Sequence, residues 1–224
     1  MTATVSGRDA VEETINRGLP GLWVPICKSV QVKAGAPFGT KIAGENLVLW
    51  RDADGGVRCI EDFCPHRGAK LSLGVVQDGN VACRYHGVTV DGEGTIVRVP
   101  AMPECALEGR RPLKSYETAE CADAVFIYLP SADQPEAPEF DPPEEFVNGE
   151  WEAFPCMVRW DCSYRLSLDN AADPMHASYL HTDSFTLAYG AKQDTMRLER
   201  TDTGFVIERV AQKGVNLDAT EVVV

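Results

Sequence analysis

Two short stretches decide how this chain is read: "CPHRGAK", residues 64 to 70, and "CRYHG", residues 83 to 87. Together they spell C-x-H, sixteen intervening residues, then C-x-x-H. Each grows out of a run with strand character, "VRCIEDF" (57–63) and "GNVACRY" (79–85), and each has a glycine close behind its histidine, Gly68 and Gly87. Two loops therefore each offer one thiolate and one imidazole to a common point. Glycine lets the backbone approach closely there and turn N–H groups toward sulfur. The candidate ligands are Cys64, His66, Cys83 and His86.

Two thiolates and two imidazoles can hold a tetrahedral zinc. Zinc fingers usually group the cysteines ahead of the histidines, whereas the order here is Cys, His, Cys, His. The interleaved order suits a two-iron cluster, with each loop giving its cysteine to one iron and its histidine to the other. Imidazoles carry less charge than thiolates, which raises the reduction potential above that of an all-cysteine cluster.

The flanking sequence is read outward from these loops. Residues 9–18, "DAVEETINRG", predict a short amphipathic helix stopped by Pro20-Gly21, so 1–21 is an N-terminal helical segment. From 22 to 130 the pattern is short apolar or alternating runs, among them "LWVPICKSV", "NLVLWRD", "TIVRVP" and "AVFIYLP". Asp54-Gly55, Asp78-Gly79 and Asp91-Gly92 punctuate them as turns, which predicts a small antiparallel sandwich or barrel. The segment "PSADQPEAPEFDPPEE" (130–145) holds five prolines and six acidic residues, so 131–147 reads as a linker. Beyond it, 148–224 begins an α+β domain. There "WEAFPCMVRWDC" (151–162) predicts a strand, "YRLSLDNAADPMHASYL" (164–180) a helix, and "DTMRLERTDTGFVIERVAQK" (194–213) a hairpin turning at Thr203-Gly204.

A second cluster of donors sits in that last domain. "DNAADPMHASYLH" (169–181) contains two of the four histidines, His176 and His181, with Asp169 and Asp173 upstream. Asp173 and His176 are three apart and share a helical face; the two histidines are five apart, which is poor helical register. Pro174 either starts a helix capped by Asp173 or kinks a longer one, and either irregularity lets His181 swing toward His176. Two imidazoles, a carboxylate and open positions make a facial triad for non-haem Fe(II). The zinc-protease H-E-x-x-H string is absent. By itself D-x-x-H-x-x-x-x-H also fits a solvated helix.

The paired loops and the strand-turn pattern around them resemble the Rieske [2Fe–2S] fold over residues 22–130. Respiratory Rieske proteins add a second, bridging cysteine to each loop; Ala69 and Tyr85 stand at those positions here, which points to the branch found in oxygenases and their ferredoxins. A Rieske motif, a linker and then the histidine pair resemble the catalytic (alpha) subunit of Rieske-type non-haem iron oxygenases. The resemblance implies an all-β Rieske domain followed by the start of an α+β, helix-grip catalytic domain. It implies His176 and His181 as ligands of a mononuclear Fe2+. Asp173 would be a bridging carboxylate that links His176, across a subunit boundary, to the Rieske histidine at position 86. A homotrimer or trimer-based assembly follows. So do electrons from a ferredoxin or a flavin/iron–sulfur reductase, and oxygenation of a small aromatic or apolar substrate with O2. The competing reading is a Rieske electron carrier with an accessory domain, which has no need of Asp173, His176 and His181. The family's carboxylate ligand lies far downstream of the histidine pair. Asp183, Asp194, Asp202 and Asp218 remain after His181, none in a recognisable ligand context.

Composition bounds the rest. A net charge of 21 − 34 = −13 argues against binding nucleic acid or an anionic membrane surface. No apolar run reaches the roughly 20 residues of a membrane span, and the polar N-terminus is neither a signal nor a transit peptide, so the expected location is cytoplasmic. In a reducing compartment Cys27, Cys59, Cys105, Cys121, Cys156 and Cys162 read as small buried hydrophobes. Leu166, Met175, Leu180 and Phe185 are expected mainly in the core of the second domain.

Overall fold

The computed structural model describes residues 21–42, 44–153, 155–173, 176–181, 183, 195–201, 204–210 and 219–223. The helix expected over 9–18 lies outside them. The chain divides into two compact units, Met1–Val158 and Arg159–Val224. Its class is α+β: sheets in both units, with helices few and short.

The first unit carries β1 (Leu22–Lys28), β2 (Phe38–Ile42), β3 (Glu45–Arg51), β4 (Val57–Glu61), β5 (Val75–Gln77), β6 (Asn80–Ala82), β7 (Thr89–Val90), β8 (Ile96–Arg98), β9 (Ser115–Tyr116), β10 (Thr118–Cys121) and β11 (Ala124–Leu129), then α1 (Glu144–Val147). They form three antiparallel sheets, β1-β11-β10, β2-β3-β4-β9 and β5-β6-β7-β8.

β3 explains how these sheets stack. Its residues Leu47, Val48, Leu49 and Trp50 are all 0% exposed. Successive side chains of a strand point to opposite faces, so a continuous buried run means cover on both sides. Leu47 and Leu49 pack with Ile26, Cys27, Cys59, Val125 and Ile127 on one face. Val48 and Trp50 pack with Ile60, Leu71, Val81, Val90 and Ile96 on the other. The β2-β3-β4-β9 sheet is therefore the middle of three layers. The Trp50 indole N–H donates to the Gly79 carbonyl at 2.8 Å, which leaves no unpaired donor in the core. Gly79 itself sits in a two-residue hairpin: Asp78 and Gly79 have φ of 49° and 77° between the paired Gln77 and Asn80. Both central residues at positive φ make the type I′ turn that an Asp-Gly dipeptide favours.

Arg51 at the end of β3 ties two layers together. Its Nε donates to the Val32 carbonyl (2.9 Å), Nη1 to Gly55 O (2.9 Å) and Glu120 Oε2 (3.0 Å), and Nη2 to Ser29 O (3.3 Å) and Glu120 Oε1 (2.8 Å). All five guanidinium N–H groups are used, and the pair with Glu120 on β10 is bidentate. The same guanidinium holds the Glu120 carboxyl below the usual carboxylate range.

The proline-rich stretch is pinned to the outer sheet. Trp23 Nε1 donates to Pro138 O (3.1 Å), Tyr128 Oη donates to Gln134 O (2.8 Å), and the Phe140 ring contacts Trp23 and Phe126 at 5.2 and 5.1 Å. The strand expected over 151–162 does not form among the described residues, which run without regular structure. Pro155 removes a ladder donor in the middle of that segment, and its described neighbours are mostly exposed. The cysteine expectation holds for Cys27 and Cys59, which are buried; Cys105 and Cys121 are half-buried, and Cys156 and Cys162 are exposed on this irregular segment. Burial, with Glu120 beside it, pushes the Cys27 thiol up to about 11, so it is an inert core group.

In the second unit α2 (Tyr164–Ala172) starts at Ser163, whose Oγ accepts from the Arg165 N–H. A single helical turn, α3 (Ala177–Leu180), follows. β12 (Thr195–Arg200), β13 (Gly204–Val210) and β14 (Ala219–Val223) form a meander, with Arg200 opposite Phe205 across the expected hairpin. Leu166 and Leu180 are 62% and 75% exposed instead of buried; no described side chain of this unit covers them. Met175 and Phe185 lie outside the described residues.

Replacing Arg51 by Lys substitutes one ammonium for a planar fork and is expected to cost about 1–2 kcal/mol, the partial exposure of Glu120 limiting the loss. Urea unfolding followed by circular dichroism measures it, and an unchanged midpoint contradicts the clamp. Because the folded Glu120 is held low, its contribution is complete above the unfolded carboxylate pKa. It is lost as pH falls through the depressed folded value, so the wild-type advantage over Arg51→Lys should shrink only in acid.

Candidate functional site

The two Cys/His loops repeat one backbone design. After β4, the Cys64 N–H donates to Ala69 O (2.7 Å) and the Gly68 N–H to Cys64 O (2.8 Å). Between β6 and β7, the Cys83 N–H donates to Val88 O (2.8 Å) and the Gly87 N–H to Cys83 O (2.9 Å). In both loops the cysteine opens the turn, the residue four later is glycine, and the chain re-enters one residue after it. Gly68 and Gly87 have φ of 71° and 70°, left-handed values that cost an L side chain about 1–2 kcal/mol.

This backbone separates the four donors into two pairs. Cys64 and Cys83 are 2% and 3% exposed and belong to the core cluster under β3. His66 and His86 are exposed, with ring centroids 4.7 Å apart at 64°. The Tyr85 ring lies against His86 at 3.8 Å. Burial pushes the Cys64 thiol up; the backbone N–H groups of His66 and Arg67 act in the opposite direction, and the Cys83 thiol beside it adds to the rise. Such a thiol gives up its proton when a cation replaces it.

Two thiolates and two imidazoles could serve one tetrahedral zinc or be divided between two irons. A buried sulfur pair beneath an exposed imidazole pair is what two adjacent irons would need, so the loops fit a two-iron cluster.

Side chains that the sequence reading passed over hold the loops in place. Asp62 and Thr89 are the buried polar residues among those described, each 5% exposed. The Asp62 carboxylate accepts from the Ser72 N–H (2.7 Å, Oδ1) and the Ser72 hydroxyl (2.6 Å, Oδ2), closing the first loop across its base. Thr89 Oγ1 donates to Gly87 O (3.0 Å) in the second. Glu108 accepts from the Val99 and Glu104 N–H groups (2.8 and 3.2 Å) and so fixes the segment that sets Pro100 over Gly87. For Asp62 a signal existed: alternation along "VRCIED" puts it on the face of Ile60, the core face. For Pro100 and Glu108 there was none, because their partners are set by tertiary contact.

In the second unit α2 ends at Ala172, and Asp173 is extended, φ −104° and ψ 94°, as a residue before proline prefers. The His176 main-chain carbonyl opens the next turn, accepting from the Tyr179 and Leu180 N–H groups at 3.0 and 2.8 Å. That turn stops at Leu180, and His181 returns to within 5.2 Å of His176, centroid to centroid, at 64°. The histidines do meet. His176 Nδ1 contacts the Asp173 main-chain carbonyl, so the contact described is to the backbone of Asp173. A proton on Nδ1 leaves Nε2 free for a metal. Asp183 is exposed, and Asp194, Asp202 and Asp218 lie outside the described residues. A separate apolar cavity of about 430 Å³ lies between Pro25, Phe126, Phe146, Cys156 and Met157, with none of these donors in its wall.

Comparison with known proteins agrees with this division. Residues 22–117 match the Rieske [2Fe-2S] domain family, and residues 160–219 match the vanillate O-demethylase oxygenase C-terminal domain. The first unit thus carries a Rieske [2Fe–2S] domain. The chain is 35% identical over 162 residues to the vanillate O-demethylase oxygenase subunit of a Pseudomonas sp., covering 72% of this chain and 45% of that protein. It is 34% identical over 170 residues to the terminal oxygenase component of carbazole 1,9a-dioxygenase from Metapseudomonas resinovorans, covering 75% and 44%. In structure it is similar to the oxygenase in an oxygenase–ferredoxin complex of carbazole 1,9a-dioxygenase, with TM-score 0.68 and 29% identity over 87% of this chain and 54% of that one. The chain belongs to the Rieske aromatic ring-hydroxylating oxygenase alpha-subunit family, whose cofactors are a [2Fe–2S] cluster and a mononuclear iron. It spans about half the length of these relatives.

The loop geometry sets up a paired test. A Cβ at Gly68 meets nothing within 4 Å, whereas one at Gly87 comes to 3.0 Å from Pro100 Cγ. Gly68→Ala and Gly87→Ala share the backbone penalty, so the second is expected to lose its cluster faster. The half-life of the visible iron–sulfur absorbance in chelator measures this, and equal half-lives contradict a role for Pro100.

Proposed function

We propose that this protein works as the terminal oxygenase component of a Rieske non-haem iron system. Cys64 and Cys83 hold one iron of the cluster, and His66 and His86 hold the other. His176 and His181 are two ligands of the mononuclear Fe2+, with Asp173 as the bridging residue between subunits of a trimer. The carrying observation is the second histidine pair, 5.2 Å apart in a chain that already has the Rieske loops. A simple electron carrier has no use for it. The match of residues 22–117 to the Rieske domain family and of 160–219 to an oxygenase C-terminal domain family supports the same reading.

When bound, the cluster supplies single electrons and the Fe2+ supplies the site of O2 activation. The chain's own residues do the positioning. Buried Cys64 and Cys83 anchor the cluster in the core, while His66 and His86 keep its other edge at the surface. The Asp173 carbonyl fixes the His176 ring and its tautomer, so that Nε2 presents a lone pair. We assign electron delivery to a ferredoxin, supported by the ferredoxin-bound oxygenase that this chain resembles. A small aromatic or apolar molecule is the substrate class. The cytoplasm is the proposed location; no helix among the described residues is long and apolar enough to cross a membrane.

Iron analysis and EPR test the assignment. Anaerobically prepared wild type should contain iron and give a Rieske-type signal on reduction; zinc in its place would sink the proposal. His176→Ala should remove mononuclear iron and oxygenation while leaving the cluster signal intact. Asp173→Asn should keep both iron centres and slow turnover roughly 10–100-fold, the usual scale for groups that support a metal ligand. Undiminished oxygenation by His176→Ala would return the protein to the electron-carrier class.

A further inference from the structure

The two Cys/His loops share a backbone but place their histidines differently on it. In each, the glycine four residues after the cysteine donates its N–H to the cysteine carbonyl, at 2.8 Å in the first loop and 2.9 Å in the second. His66 stands two positions after Cys64, whereas His86 stands three after Cys83. The backbone counterpart of His66 in the second loop is therefore Tyr85. Tyr85 is also one of the two positions, with Ala69, where respiratory Rieske proteins carry bridging cysteines. No covalent tie can form between this pair.

Tyr85 is 59% exposed, and its hydroxyl bonds to no described residue. Its ring does have a partner, the His86 imidazole, at 3.8 Å between centroids and an interplanar angle of 35°. Successive side chains of a strand point to opposite faces and would not meet. The turn closed by the Gly87 N–H brings these two rings together. His66 touches the same imidazole at 4.7 Å and 64°, so His86 has one ring neighbour from each loop. A turn fixes backbone but leaves an exposed side chain its choice of rotamers. A metal ligand must keep one orientation, and the groups that hold it there belong to the site as much as the ligand does. In the second unit the Asp173 carbonyl holds His176 in this way. No hydrogen bond to a described residue orients the His86 ring, which leaves the ring contacts to do so.

We propose that Tyr85 is a positioning residue for His86: its ring, laid against the imidazole, holds this ligand in one orientation, a contact standing where other Rieske proteins have a covalent tie. The inference rests on the Rieske assignment above and adds a residue outside the ligand set. The ring is the working part and the hydroxyl is dispensable. No bond of Tyr85 forms or breaks.

The test uses the whole 224-residue chain, loaded with its cluster and reduced with dithionite. Pulsed EPR of the reduced cluster reads the couplings of the two ligand histidine nitrogens separately. Tyr85→Ala should shift or broaden one of them and leave the other. It should also shorten the half-life of the visible absorbance in chelator roughly threefold to tenfold, the scale of one aromatic pair. Tyr85→Phe keeps the ring and should match wild type in both measurements. Unchanged couplings in Tyr85→Ala overturn the proposal whatever the half-life, because loosening or shielding alone would alter only the half-life. A Tyr85→Phe chain as impaired as Tyr85→Ala also overturns it, since the hydroxyl would then be the active group. Loss of secondary structure in Tyr85→Ala, followed by circular dichroism, overturns a positioning role in favour of a structural one. If Tyr85→Ala keeps its fold but takes up no cluster, Tyr85→Phe decides: loading with wild-type couplings supports the proposal, and failure to load overturns it. A wild-type chain without a Rieske-type signal is a different result, and it defeats the functional assignment itself.

Discussion

The first unit depends on two thiols buried side by side beneath two exposed imidazoles. Cys64 and Cys83 are part of the cluster formed by Val48, Trp50, Ile60 and Val90, so the metal-binding end and the apolar core are one structure. Sulfur packs as a small hydrophobe, which lets the ligands share in folding before any metal arrives. The cost is that the two loops must meet in matched register. Identical backbone bonds around Gly68 and Gly87, and the middle sheet that both outer layers grip, supply that match.

The second unit solves a similar problem with a proline. His176 and His181 stand five positions apart, a spacing that an uninterrupted helix would splay. Pro174 forces Asp173 into extended backbone, so α2 ends and a fresh single turn begins with His176. That turn is short enough for His181 to fall past its end and return. The same break aims the Asp173 carbonyl at the His176 ring, so one irregularity both ends the helix and orients a donor.

Much of this was legible in the sequence because it is local. The C-x-H and C-x-x-H strings with trailing glycines carry their own turn chemistry, and Asp78-Gly79 carries its hairpin. The β3 run announces burial on both faces. Reading failed where partners are distant. The strand expected over 151–162 has apolar residues in plenty but a proline in its middle, and no strand pairs with it among the described residues. Cys156 and Cys162 are exposed for the same reason: composition says cysteine is usually buried, but only packing says where. Asp62 went unread for a different reason. A carboxylate beside a motif reads as solvated surface until strand alternation is followed one residue beyond β4.

The burial pattern also sets which side of the paired loops faces outward. Both cysteines lie at 3% exposure or less, so the sulfur side of the loops is closed to a second molecule. His66 and His86 are exposed and in ring contact, and Tyr85, 59% exposed, stacks on His86 and extends the aromatic surface outward. Every short route between the cluster site and another molecule therefore passes the imidazole edge. A chain that buried its histidines and exposed its cysteines would hold the same metals and serve a different partner geometry.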